Sequence, residues 1–237
     1  MKFKKLFVVL GLLVIAALVL SACGGGNAPA NDTPAEEPME EPMAMGASVM
    51  VAPGDDVVLG LATILSGEGL VPLGADITRG VELALAERPT VTVGGEEFTV
   101  VLDVQDDQCS AEGGQTVANR FASDENVVAV MGPTCSSACR AAGPIFDEAS
   151  YTMISSSCTG VDLTGFDSFN RTTPNDNGQG EQAVAFIYNE LGITQIATIH
   201  DGSPYGEGLV AVLTEAFEAL GGEVVASDQV IGEDASV

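Results

Sequence analysis

The sequence of 237 residues is poor in positive charge, aromatic rings and histidine, and each shortage removes a class of function. Eight Lys and Arg stand against 34 Asp and Glu, a formal net charge of −26. That balance opposes nucleic-acid binding, which neutralises phosphates with clustered basic side chains. It also opposes adhesion to an anionic membrane surface through basic residues. The single histidine, His200, argues against a His-rich zinc or iron centre, which takes two or more imidazoles. There is no Trp and aromatics make up 5 % of the chain, too few for a base-stacking platform. What is abundant is apolar residue, 46 %, enough for a packed core and against global disorder.

Part of that apolarity sits at the N-terminus. Met1-Lys2-Phe3-Lys4-Lys5 is a positive segment, and Leu6 to Leu20 is an uninterrupted apolar run of 15 residues. A membrane span needs about 20, so the layout is that of a signal peptide. Leu20-Ser21-Ala22-Cys23 resembles a bacterial lipobox. The resemblance implies cleavage before Cys23 and diacylglyceryl attachment to it, with residues 1–22 removed. All three lysines leave with that segment, so five Arg remain against 34 acidic residues, a net charge of −29. Such a surface repels its neighbours and stays soluble, and it is compatible with a saline habitat, where salt screens the repulsion.

Residues 23–54 read as a flexible, acidic, Pro-rich tether. Gly24-Gly25-Gly26 is followed by Pro29, Pro34, Pro38 and Pro42 among Glu36, Glu37, Glu40 and Glu41. This composition buries too little apolar surface to order itself. From Asp55 onward, strands and helices alternate. Strands are predicted at Val57–Leu65, Phe98–Val104 (after a hairpin with Val91–Val93), Val127–Met131, Tyr151–Ile154, Gln195–His200 and Glu223–Val230. Helices are predicted at Asp76–Glu87, Ala111–Ser123, Ser137–Ala149 with a kink at Gly143-Pro144, Gly180–Leu191 and Gly206–Leu220. A polar loop covers Gly160 to Asp176. The repeated βα units imply an α/β fold with a doubly wound parallel sheet. The boundary between residues 55–175 and 176–237 marks a first lobe and the start of a second.

In such sheets ligands bind beyond the carboxyl ends of the strands. Four segments fall there: Ser66–Gly69, Gly132–Ser137, Ser155–Thr159 and His200–Tyr205, all rich in hydroxyls and Gly. Such residues also make ordinary caps and turns, but several on one sheet edge point to a polar cradle. Catalytic signatures are weak: no G-x-S-x-G, Walker A or G-x-G-x-x-G follows a strand. His200, Asp201 and Ser203 have the residue types of a hydrolytic triad but crowd together in sequence. Asp106-Asp107 reads as a pair of solvated caps rather than as metal ligands. Without Cys23, four cysteines remain: Cys109, Cys135, Cys139 and Cys158. An even count in an extracytoplasmic protein suggests two disulfides, with three connectivities to choose from. A Cys135–Cys139 bridge within one helical turn is geometrically poor; the preferred pairs are Cys109–Cys135 and Cys139–Cys158. No metal or cofactor is expected.

Several segments, in order from Val57 onward, carry a resemblance. They are Leu65-Ser66-Gly67, Asp106-Asp107-Gln108-Cys109, Gly132-Pro133-Thr134-Cys135-Ser136-Ser137, Ile154 through Thr159, Arg171-Thr172, and Ile199-His200-Asp201 through Tyr205-Gly206-Glu207-Gly208-Leu209. Together they resemble the type I periplasmic solute-binding proteins of the branched-chain amino acid ABC transporter family. The resemblance implies two α/β lobes closing over a small amino acid-like ligand, delivered to ABC permease subunits, and no enzymatic activity. It assigns the ligand's α-carboxylate and ammonium to Ser136 and Thr159. Ser157 is a backbone contributor, and Tyr205 reaches in from the second lobe. It also matches Cys109–Cys135 to the family's disulfide. Independently, a carboxylate is favoured at Ser136 because it opens a helix with free N–H groups. Two departures accompany it. The family's aromatic in the first loop is replaced by Leu73 as the nearest residue. Members are also far longer, so the second lobe is expected to be C-terminally truncated, with the ammonium-binding acid lying beyond Val237. The implied place is extracytoplasmic, anchored to the bacterial membrane by lipid. The alternative is a sensor passing its ligand signal to a membrane receptor.

Overall fold

The structure is a computed structural model and describes residues 49–67 and 69–230. The predicted signal segment, Cys23 and most of the predicted tether lie outside the described residues. The described residues all belong to one compact unit, Ala44–Val237.

The chain opens with β1 (Val57–Thr63), an apolar strand whose last three residues are fully buried. Helix α1 (Val71–Glu87) begins five residues earlier than the apolar periodicity suggests. Pro72 sits in its first turn, where a missing N–H costs nothing. The hairpin of β2 (Thr90–Val93) and β3 (Glu96–Asp106) follows, then α2 (Ala111–Ala122). The Ser110 hydroxyl caps α2 by accepting from Gly113 N at 2.9 Å, with Glu112 in the first turn and Arg120 in the last, matching the helix dipole. Next come β4 (Val127–Met131), α3 (Ser136–Ala149), β5 (Met153–Ser155) and β6 (Phe169–Arg171). Helix α3 runs on through Pro144. Strand β5 starts two residues later than expected. Tyr151 is drawn back to α3, its N–H donating to Phe146 O and its hydroxyl to Asp124 O.

The predicted loop from Gly160 to Asp176 holds two elements that the pattern does not reveal, a 3-10 turn at Val161–Gly165 and the three-residue β6. Helix α4 (Asp176–Ala185) continues as a π turn, Phe186–Glu190. Then follow β7 (Gln195–His200), α5 (Pro204–Ala219) and β8 (Glu223–Gln229).

Six strands form one sheet in the order β2-β3-β1-β4-β5-β6, parallel except for the antiparallel edge strand β2. The chain first moves from β1 to β3 on one side, then crosses to β4 on the other. The switch point of this doubly wound order therefore lies at β1, and a crevice opens at the carboxyl ends of its neighbours. One face of the sheet is covered by α2 and α3, whose Phe121 and Phe146 are fully buried with Val127, Val130 and Met153. These helices touch closely, because a Cβ at Gly114 would strike the Ala138 carbonyl. The other face carries α1, with Ile77, Val81 and Leu85 half-buried against an open apolar groove of about 640 Å³. In the second unit of secondary structure β7 and β8 pair in parallel, and α4 and α5 pack around fully buried Phe217, against which Tyr188 stands edge-on at 5.9 Å. On this two-stranded sheet Ile199 and Val225 are 65 % and 56 % exposed.

Candidate functional site

Four loops converge above the switch point, and buried polar groups hold them. The Asp106 carboxylate, at the end of β3, accepts from Leu65 N at 2.9 Å, from Gln108 N at 3.0 Å and from the Ser66 hydroxyl. Partial burial raises its pKa, but these donors outweigh burial and hold it below the usual carboxylate range. Asp107 is fully buried, which corrects the expectation of a solvated cap. Its carboxylate accepts from Cys109 N at 2.9 Å and Thr134 N at 2.6 Å, fastening the β3 loop to the β4 loop. Burial pushes its pKa up despite those bonds. Two like carboxylates in sequence thus have opposite environments.

Both disulfides are present as expected. Cys109–Cys135 joins the β3 loop to the residue preceding α3, with Cα atoms 5.0 Å apart, and Cys139–Cys158 joins the first turn of α3 to the β5 loop, with Cα atoms 6.5 Å apart. Cys135 is the N-cap of α3 and no side chain caps that helix. The N–H groups of its first turn have no intrahelical partners, and the dipole favours an anion there. Ser136 is buried, and its hydroxyl oxygen accepts from Gly160 N at 3.2 Å, which leaves the hydroxyl hydrogen free to donate.

The β5 loop is threaded in the same way. The Ser155 hydroxyl donates to Pro133 O at 2.7 Å and accepts from Ser157 N and Cys158 N. The Ser157 hydroxyl donates to Thr134 O at 2.6 Å. The Ser157 N–H and hydroxyl are thus both engaged within the chain. Thr159 Oγ1 is buried and has no partner among the described residues. A lone buried hydroxyl costs free energy unless something outside the chain pairs with it.

These groups share a cavity of about 360 Å³. Thr134, Ser136, Ser137, Ser157 and Thr159 form its polar side, and Leu70, Leu73 and the Cys109–Cys135 bridge line it as well. From the second half of the chain come Asp201, Ser203 and Tyr205. Tyr205 is 39 % exposed, and its hydroxyl accepts from Gln179 Nε2 at 3.4 Å. All four sequence-predicted site residues, Ser136, Ser157, Thr159 and Tyr205, therefore meet at one cavity. Leu70 was not singled out, and Asp201 was named as a triad type and within the His200–Tyr205 loop but not as a ligand contact. Asp201 had a signal, since it follows β7 directly and precedes Tyr205 by four residues. The Ser203 hydroxyl and N–H hold its pKa below the usual range.

The triad types are not assembled. His200 Nδ1 accepts from Gly202 N at 3.1 Å, and the Ser203 hydroxyl accepts from Gly206 N at 3.0 Å as the cap of α5. Among the described residues no group of three or more His, Cys, Asp or Glu could hold a metal ion. The cavity instead offers hydroxyls and helix N–H groups for an anion. It offers the acidic Asp201 for a cation and leucines for an apolar body. Among the described residues no arginine lines it. A small zwitterion with an apolar side chain matches that set.

The family model described as periplasmic binding protein matches residues 56–236. An amino acid binding protein of Pseudomonas aeruginosa is 31 % identical over 169 residues, which is 70 % of this chain and 44 % of that protein. A Leu/Ile/Val/Thr-binding protein of Salmonella typhimurium is 30 % identical over 177 residues, 73 % of this chain and 47 % of that protein. Among solved structures, a leucine binding protein from Thermotoga maritima superposes with a TM-score of 0.68 at 27 % identity, covering 74 % of this chain and 49 % of its own. An ABC transporter substrate-binding protein from Desulfitobacterium hafniense, in complex with Leu, gives 0.61 at 26 % identity, covering 75 % and 52 %. The chain spans about half the length of the curated relatives it matches.

Proposed function

Because the chain belongs to the periplasmic binding protein family, we propose that it is the extracytoplasmic, non-enzymatic solute-capturing component of an ABC importer, with a small amino acid as ligand. Residues 1–22 act as a lipoprotein signal peptide, Cys23 carries the lipid, and residues 23–54 hold the binding lobes off the membrane. Residues 55–175 form the first lobe and residues 176–237 belong to the second. The ligand's α-carboxylate sits at the N-terminus of α3 with the Ser136 hydroxyl, the Thr159 hydroxyl pairs with its charged end, and the Ser157 carbonyl and Tyr205 complete the contact. ABC permease subunits receive the ligand.

The observation that carries this reading is the Thr159 hydroxyl, buried and unpartnered, in the same cavity as the uncapped start of α3. A neutral donor set suits a chain so acidic. An anion is stabilised by oriented N–H dipoles without a compensating arginine. The leucines beside these donors favour an aliphatic side chain on the ligand.

Thermal unfolding with each of the twenty amino acids, followed by calorimetric titration of the positive ones, tests it. A ligand at about 100 times its Kd stabilises by about 2.7 kcal/mol. Small aliphatic amino acids should raise Tm, and Thr159→Val should make the rise markedly smaller. A panel without any shift would overturn the reading.

A further inference from the structure

Arginine is scarce in this chain, and two of the five arginines hold the loop that carries Thr159. From α3, Arg140 grips Asp162 with two bonds, Nε to Oδ2 at 2.5 Å and Nη2 to Oδ1 at 2.8 Å, which pins the 3-10 turn to the helix. From β6, Arg171 acts on the backbone around Thr159 itself. Its Nη1 donates to Gly160 O at 3.1 Å and to Cys158 O at 3.3 Å, the two carbonyls on either side of Thr159. Its Nη2 donates to the Thr164 hydroxyl. The guanidinium carbon lies 4.9 Å from the centre of the buried Phe169 ring, which fixes the plane of the fork. Arg171 does not line the cavity.

Resting on the ligand site proposed above, we infer that Arg171 is a positioning residue for that site. By bridging the carbonyls of Cys158 and Gly160 it sets the direction of the Thr159 side chain and lowers the ordering cost of binding. The remaining ties agree with this role. Asp176 N donates to Thr159 O at 2.9 Å from the far side, and Gly160 N donates to Ser136 Oγ. The carbonyls of Cys158, Thr159 and Gly160 and the Gly160 N–H are thus all engaged, while the Thr159 hydroxyl has no partner among the described residues. A preorganised donor binds more tightly because less freedom is lost on binding.

The test is a double-mutant cycle with L-leucine as titrant, on the parent, R171M, T159V and R171M/T159V, with R171K as the conservative variant. R171M should weaken binding by about tenfold. R171K should recover most of that loss, because an ammonium can still donate to both carbonyls. The double variant should lose less than the product of the single losses, since Arg171 acts through Thr159. Parent-like affinity in R171M, or losses that multiply, would overturn the inference while leaving the site intact. Parent-like affinity in T159V would instead overturn the ligand assignment. Amide exchange of the ligand-free protein decides the positioning role even if L-leucine does not bind the parent. Residues 158–165 should exchange about tenfold faster in R171M with residues 57–63 and 127–131 unchanged, and equal exchange would overturn it.

Discussion

Replacing Ser136 with alanine removes two things at once, and the structure separates their magnitudes. The Ser136 hydroxyl accepts from Gly160 N, a buried pair at 3.2 Å. Alanine leaves that N–H without a partner, and an orphaned buried donor costs about 1–3 kcal/mol. At 3.2 Å the bond is at the long end of the normal range, so the low end, about 1 kcal/mol, is expected. For a domain of about 150–250 residues that is a fall in Tm of about 2–4 °C. A bond from the hydroxyl to a charged ligand group contributes about 1.5–3 kcal/mol, a loss of about 10-fold to 150-fold in affinity. Calorimetric titration with L-leucine and differential scanning calorimetry of the free protein read the two effects independently. A lower Tm with parent-like affinity would make Ser136 purely a brace for Gly160. Weakened binding with an unchanged Tm would refute the orphaned-donor argument. The family resemblance assigns Ser136 a ligand role; the Gly160 bond is what adds a structural one.

Three further outcomes are expected. Expressed in a bacterial host, Cys23→Ser should leave the membrane fraction and lose lipid label, and unchanged lipid incorporation would refute lipidation. Asp162→Asn should remove the pair with Arg140, whose side chains are 30 % and 54 % exposed for Arg140 and Asp162, at a cost of about 0.2–1 kcal/mol at neutral pH. The Arg140 guanidinium beside it holds the Asp162 carboxyl below its ordinary value. Its contribution is therefore complete above the unfolded carboxyl pKa of about 3.9 and is lost as pH falls through the lower folded value. The stability gap between parent and variant should close below about pH 4, and a gap that widens there would be the wrong sign. Amide exchange should be faster across residues 195–230 than across residues 57–155. The β7–β8 sheet exposes Ile199 and Val225, whereas β1 and β4 are enclosed; comparable protection would contradict this.

Most of the fold was legible because its signals are local. Strands such as Val127–Met131 and Gln195–His200 are short runs rich in β-branched residues, and their ends agree with the structure to the residue. Helix α2 carries its own cap in Ser110, so its start was readable. At the start of β5 one local bond and one distant bond moved the end: the Tyr151 N–H closes α3 on Phe146 O, and the Tyr151 hydroxyl reaches Asp124 O. Strand β6 exists because Phe169–Arg171 finds β5 as a partner, not because three residues have a strand pattern.

The sequence by itself determined the charge, the alternation of strands and helices, the four hydroxyl-rich loops and the cysteines able to bridge them. These follow from composition, periodicity and turn chemistry, which are properties of neighbouring residues. Only the tertiary structure decided that β1 is the switch point, because strand order depends on which strands hydrogen-bond across long loops. It alone separated Asp106 from Asp107, since burial and distant donors, not residue type, set the environment of a carboxylate. It also decided which hydroxyls are engaged and which is free. Ser155 and Ser157 reach carbonyls more than twenty residues away, while Thr159 reaches none. That difference between chemically similar side chains depends on where the β4 and β5 loops come to lie, and no local pattern encodes it.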